Sequence, residues 1–199
     1  MPSKFRVRGV FRGLVYAIAR PLARAGATPD SITYLSLLFA VVAFISLPLT
    51  QLQPLFAILI FITGLLDGVD GAVARLNNSA SQSGGFTDSV VDKVAETFIL
   101  AGIALAFPTT ILIGLSITMW ALIAVFGWLM TSYTRARAEN LGATDLDIGL
   151  GGRSERLLTL VIFSLLGLVT WGLVVTALMG LCTAAYRLFH YKNQIQQTM

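Results

Sequence analysis

Six stretches of the chain are almost continuously apolar, at residues 32–49, 55–66, 86–107, 111–133, 157–170 and 173–186, with polar segments between them. A bilayer-crossing helix needs about 20 mostly apolar residues, so the pattern predicts six spanning helices. Two or three are short unless they extend into their polar flanks. Ahead of them, Lys4, Arg6, Arg8, Arg12, Arg20 and Arg24 interleave with Phe5, Val7, Val10, Phe11, Leu14, Val15, Tyr16, Ile18 and Leu22. That alternation predicts an amphipathic helix resting on an anionic leaflet. It is too often interrupted to be a signal peptide. Thr28-Pro29-Asp30-Ser31 predicts a helix start, with Thr28 as N-cap and Pro29 at the first helical position. The expected fold is an all-α integral membrane protein in one domain, residues 1–199. A juxtamembrane helix lies within 1–26 and a six-helix bundle spans 30–192.

Composition agrees: 56% of the 199 residues are hydrophobic, 12% are charged and the mean hydropathy is +0.79, which leaves no room for a separate soluble module. Charge then sets orientation. The fourteen Lys and Arg avoid the connectors at 50–54, 108–110 and 170–172. By the positive-inside rule both termini face the cytoplasm, as an even number of spans requires. The net charge of +4 thus reads as topology and anionic-lipid contact, and nucleic acid is not an expected partner. Cys182, the sole Cys, lies in an apolar run, where a core position is expected, and His190 is the sole His. So few soft ligands argue against a zinc site and against a Ser-His-Asp hydrolase.

The informative polar residues are acidic. Four of the ten, Asp67, Asp70, Asp88 and Asp92, lie within 26 residues of otherwise mostly uncharged sequence. Ionised carboxylates at membrane depth are costly unless they pair or bind metal. Hard oxygen donors of this kind suit Mg²⁺, Mn²⁺ or Ca²⁺. On a helix, Asp67, Asp70, Gly71 and Ala74 share one face, and Asp88, Asp92 and Glu96 form an i, i+4, i+8 row on another. Counted back from the charge-free connectors, Asp67 and Asp92 each lie roughly 25 Å in at 1.5 Å per residue. The two faces are therefore expected to meet on the cytoplasmic side. Gly71 and Ala74 would let a flat ligand approach the backbone, or two helices pack closely.

These residues spell Asp-x2-Asp-Gly-x2-Ala-Arg-x8-Gly-x3-Asp-x3-Asp, from Asp67 through Gly71, Ala74, Arg75 and Gly84 to Asp88 and Asp92. In this the chain resembles the CDP-alcohol phosphotransferase family, whose members have six transmembrane helices preceded by a juxtamembrane helix. The resemblance implies displacement of CMP from a CDP-linked lipid by an alcohol. It implies two ions, Mg²⁺ or Mn²⁺: one held by Asp67, Asp70 and Asp88, the second by Asp67, Asp88 and Asp92. Asp92 would also deprotonate the attacking hydroxyl. Gly71 and Arg75 would contact the cytidine diphosphate, beside the small Ala74, with Ser81 and the helix start Asp30, Ser31, Ile32 and Thr33 adding contacts. Asp30 departs from the Asn more often found after that Pro.

Arg135, Arg137, Arg153 and Arg156 flank a polar loop ahead of the fifth apolar run. Guanidinium groups bind phosphate oxygens in pairs, which suits a phosphate-bearing acceptor; topology control and pairing with Glu139 and Glu155 are the plainer alternative. The pattern resembles the branch of the family that uses inositol 1-phosphate, with Arg135 where a Lys is often found. The reaction so implied joins the lipid phosphate of CDP-archaeol or CDP-diacylglycerol to 1L-myo-inositol 1-phosphate. Glycerol 3-phosphate is the alternative acceptor, and a metal-ion transporter the distant alternative. The resemblance also implies a homodimer, for which small residues at Ala101-Gly102, Ala104 and Ala106, or Gly114 and Ser116, could supply a contact.

Overall fold

The computed structural model describes residues 7–146, 148–149 and 151–198. Lys4, Phe5 and Arg6 of the expected amphipathic segment lie outside them, as do the side chains of Val7 and Arg8. Seven helices follow one another: α1 (Val7–Arg24), α2 (Pro29–Thr50), α3 (Gln53–Leu76), α4 (Gln82–Ala106), α5 (Ile117–Asn140), α6 (Arg153–Leu165) and α7 (Val169–Thr198). Two short strands, β1 (Ile111–Leu112) and β2 (Leu115–Ser116), pair antiparallel ahead of α5.

Helix starts follow local chemistry. Thr28 caps α2, its hydroxyl accepting from Ser31 N at 3.3 Å, and Pro29 follows it as the sequence predicts. Ser81 caps α4, accepting from Gly84 N at 3.0 Å. Each cap satisfies an N–H that the first turn leaves without a helical acceptor.

Packing rests on three helix pairs. α2 lies along α3 and α4, and α5 lies along α7. The α5–α7 pair is drawn together by glycines: a Cβ on Gly127 would sit 2.9 Å from Leu181 N, and one on Gly180 would sit 2.8 Å from Trp128 Cδ1. Small residues allow such backbone approach where apolar lipid provides no driving force of its own. Gly102 of α4 makes the same kind of approach to Phe44 of α2, where an added Cβ would sit 3.0 Å from the Phe44 Cα. That small-residue stretch is therefore used within the chain. α1 packs on α3, with Ala19 buried among Val69, Ala72, Val73 and Ile32.

Among the described residues four helices, α2, α3, α5 and α7, are long and apolar enough to cross a bilayer. Leu38, Val42, Ile45, Leu122 and Phe126 on their outer faces are exposed, as lipid contact permits. The chain is a multi-pass membrane protein. α4 has 25 residues but carries Asp88, Asp92, Lys93 and Glu96 from its second turn to just past its middle, and α6 has 13, or roughly 20 Å at 1.5 Å per residue.

Three expectations shift. The apolar run at 111–133 is not one helix: Ile113 (φ 50°) and Gly114 (φ 74°) turn the chain between β1 and β2, and α5 starts only at Ile117. Two successive positive φ values make a two-residue hairpin turn whose twist matches the strands. The run at 157–170 is divided at Gly167 (φ 74°), so Thr170 already belongs to α7. Cys182 is exposed on α7 rather than in the core, because Gly180, Thr183 and Ala184 take the inward positions against α5 and the loop before α6.

Candidate active site

The helical phase of α3 and α4 places the aspartates together. One carboxylate oxygen from each of Asp67, Asp70 and Asp88 lies within 4.8 Å of the others, a spacing that could hold a metal ion. Asp70 is buried and its orientation is fixed at both oxygens. Thr33 Oγ1 donates to Oδ2 at 2.7 Å, and Gly71 N–H donates to Oδ1 at 2.5 Å. Three convergent carboxylates, one of them held so firmly, form the hard oxygen set that a divalent cation requires. The residues fit the ion.

Asp92 stands one turn beyond Asp88. Its Oδ2 is 2.6 Å from Arg153 Nη1, which also pairs with Asp67 Oδ1, while Arg153 Nε faces Glu96 Oε1 at 3.3 Å. The other oxygen of Asp92 is buried and accepts no hydrogen bond among the described residues.

Two cavities open on this cluster. The first, about 550 Å³, is bordered by Asp67, Asp70, Gly71, Arg75 and Asp88, by Phe11, Arg12, Val15 and Tyr16 of α1, and by Leu157, Leu158 and Val161 of α6. Gly71 opens its side toward Arg75, whose Nη1 would be 3.4 Å from an added Cβ. Arg75 Nε donates to Tyr16 Oη at 3.4 Å, and this hydrogen bond together with the guanidinium charge lowers the pKa of the phenol from its ordinary value. The second cavity, about 860 Å³, is bordered by Asp88, Asp92, Lys93, Arg135, Arg153, Arg156 and Arg187. Asp88, Arg153 and Ser154 border both.

The residues expected from sequence fall into distinct environments. Thr33 reaches Asp70, as described. Ile32 packs in the apolar cluster under α1, Ser31 Oγ donates to Thr28 O at 2.7 Å, and Asp30 is exposed in the first turn of α2. Ala74 is half-buried on α3, and Ser81 is exposed and serves as the α4 cap. Of the four arginines, Arg135, Arg153 and Arg156 border the second cavity, and Arg137 stands exposed in the last turn of α5 outside both linings. Arg156 is 1% exposed. Its Nη1 donates to Gly151 O at 2.7 Å and its guanidinium lies 4.5 Å from the Trp128 ring centroid. Arg153 turns into the aspartates instead of toward the loop. Sequence reasoning missed Arg187 of α7, which also donates from Nε to Ile148 O at 3.0 Å. It gave Trp128 no role, and Tyr16 none beyond a place in the amphipathic helix.

Residues 27–187 match the CDP-alcohol phosphatidyltransferase family, to which this chain belongs. It is 35% identical to the archaetidylinositol phosphate synthase of Pyrococcus horikoshii, over 90% of this chain and 91% of that relative. It is 38% identical to the phosphatidylinositol phosphate synthase of Cutibacterium acnes, over 78% of this chain and 74% of the relative. The fold matches the crystal structure of the Mycobacterium tuberculosis phosphatidylinositol phosphate synthase with CDP-DAG bound, at a TM-score of 0.74 and 24% identity, covering 89% of this chain and 92% of that one.

Proposed function

We propose that the chain transfers the lipid phosphate of a CDP-lipid to inositol 1-phosphate, releasing CMP. The observation that carries this reading is the junction of the two cavities at Asp88, Arg153 and Ser154. One cavity carries the nucleotide half of the signature, Gly71 and Arg75; the other carries Arg135, Arg153 and Arg187. Two substrates held in these cavities would meet at one cluster of carboxylates. The relatives named for inositol phosphate products support the choice of acceptor.

In this reading Gly71, Ala74 and Arg75 receive the cytidine diphosphate, with Asp30, Ser31, Ile32, Thr33 and Ser81 shaping that end of the site. The apolar wall of Phe11, Val15, Leu158 and Val161 receives the start of the lipid chains. Arg135, Arg153 and Arg156 hold the acceptor phosphate, Arg156 from its packed position, and Arg137 adds positive charge at the rim. Asp92 takes the proton of the acceptor hydroxyl. That oxygen bonds to the phosphorus bearing the lipid, the bond from this phosphorus to the bridging oxygen breaks, and its electron pair leaves with CMP. Asp67, Asp70 and Asp88 would hold one divalent ion, Mg²⁺ or Mn²⁺, and Asp67, Asp88 and Asp92 a second. Such ions neutralise charge on the diphosphate and on the departing CMP.

The whole chain acts as one membrane domain in this proposal, with α2 to α7 as six spans, α1 on the leaflet surface, both termini and the site cytoplasmic, and two copies associating. The testing experiment gives purified protein one CDP-lipid and, in turn, inositol 1-phosphate, glycerol 3-phosphate, free inositol and serine. CMP release fastest with inositol 1-phosphate, and abolished by chelator, is expected. Faster release with glycerol 3-phosphate or free inositol overturns the acceptor assignment.

A further inference from the structure

Glu96 ends the row Asp88, Asp92, Glu96 on α4, yet it lies outside the aspartate signature and borders neither cavity. It is 3% exposed. A carboxylate so buried is costly unless paired, and three cations meet this one. Lys93 Nζ is 2.6 Å from Oε2, while Arg153 Nε and Arg156 Nη2 are 3.3 and 3.7 Å from Oε1. Arg156 is held without Glu96 by Gly151 and by the face of Trp128. Lys93 is a neighbour on the same helix and part-exposed.

Arg153 stands differently. Among the described residues its two other ion pairs are with Asp67 and Asp92, the same carboxylates a divalent ion would need. A guanidinium and a metal ion compete for those oxygens, since both are cations seeking the same lone pairs. Glu96 is the partner of Arg153 that lies outside the contest. We infer that Glu96 is a positioning residue: it gives the Arg153 guanidinium, which here spans Asp67 and Asp92, a carboxylate outside the metal set that keeps it when a divalent cation takes the oxygens of Asp67 and Asp92. This rests on the metal-dependent transfer proposed above.

The test is Mn²⁺ affinity, measured by electron paramagnetic resonance of the free ion with purified protein in detergent. Wild type is compared with Glu96→Gln, Arg153→Gln and the double variant. Gln keeps the size and an acceptor oxygen of Glu96 but not its charge. The expected loss in Glu96→Gln is about 10- to 100-fold, the range for partners that orient metal ligands. In the double variant the competing cation is gone, so affinity returns to that of Arg153→Gln within about twofold. A role in folding alone would weaken the single and the double variant alike. An unchanged affinity in Glu96→Gln, or a double variant as weak as Glu96→Gln, overturns the inference. If Glu96→Gln does not yield folded protein, Glu96→Asp is measured, which keeps the charge but shortens its reach. A smaller loss in the same direction supports the inference and unchanged affinity refutes it. Wild type that binds no Mn²⁺ would instead bring down the metal-dependent function itself, which separates the two failures.

Discussion

Replacing Thr33 with Val tests whether Asp70 is a prepared metal ligand. The substitution keeps the branched shape and deletes the hydroxyl that donates to Asp70 Oδ2 at 2.7 Å. Thr33 is 3% exposed and Asp70 4%, so water has little access to replace the lost donor. That hydroxyl is itself placed by the first turn of α2, 3.2 Å from Pro29 O. A hydrogen bond to a charged group contributes about 1.5–3 kcal/mol. Partners that orient metal ligands are worth about 10- to 100-fold in affinity, or about 1.4–2.7 kcal/mol. The two ranges overlap, and the expected loss of Mn²⁺ affinity is about tenfold or more. Thr33→Ser, which restores the donor, should recover most of it. Titration of free Mn²⁺ by electron paramagnetic resonance reads the effect, with circular dichroism as the check on folding. A folded Thr33→Val protein that binds Mn²⁺ as wild type does would refute the idea that Thr33 prepares Asp70.

Asp92→Asn should lower turnover by about 10²- to 10⁴-fold, the usual worth of a general base, while CDP-lipid binding persists; near-normal CMP release would remove Asp92 from that role. Arg75→Ala should raise KM for the CDP-lipid and Arg135→Ala should raise KM for the acceptor, because the two arginines border different cavities. Steady-state kinetics with each substrate varied decides this, and equal losses for both would contradict it. Gly180→Ala places a Cβ 2.8 Å from Trp128 Cδ1, well inside the usual carbon contact of about 3.5–4.0 Å. A thermal melt should record a stability loss of about 1–3 kcal/mol from forcing α5 and α7 apart, and an unchanged melt would mean that the helices are not in close contact there.

The aspartates were legible because their constraint is local. Helical spacing alone puts Asp67 with Asp70 and Asp88 with Asp92, and the signature did the rest. Arg153 could not be read in the same way: that its guanidinium lies between Asp67 and Asp92 depends on how α6 packs beside α3 and on the reach of one side chain to α4, which no spacing encodes. Glu96 was seen in its row, but its role appears only once Arg153 and Arg156 meet it. The hairpin at 111–116 hid inside an apolar run, since Ile111, Leu112, Ile113 and Leu115 are as apolar as the helix that follows. Gly114 was the one local signal of a turn. Cys182 was misplaced for a related reason. In a bilayer the outer face of a helix is as apolar as its inner face, so hydropathy does not tell them apart.

The most direct measurement is the identity of the lipid product. Purified protein with Mn²⁺, CDP-lipid and inositol 1-phosphate is analysed by mass spectrometry for lipid and by chromatography for nucleotide. One CMP is expected for each new lipid that carries both a phosphodiester and the acceptor's own phosphate. CMP accompanied by a lipid phosphate monoester, with the inositol 1-phosphate left unconsumed, would contradict it.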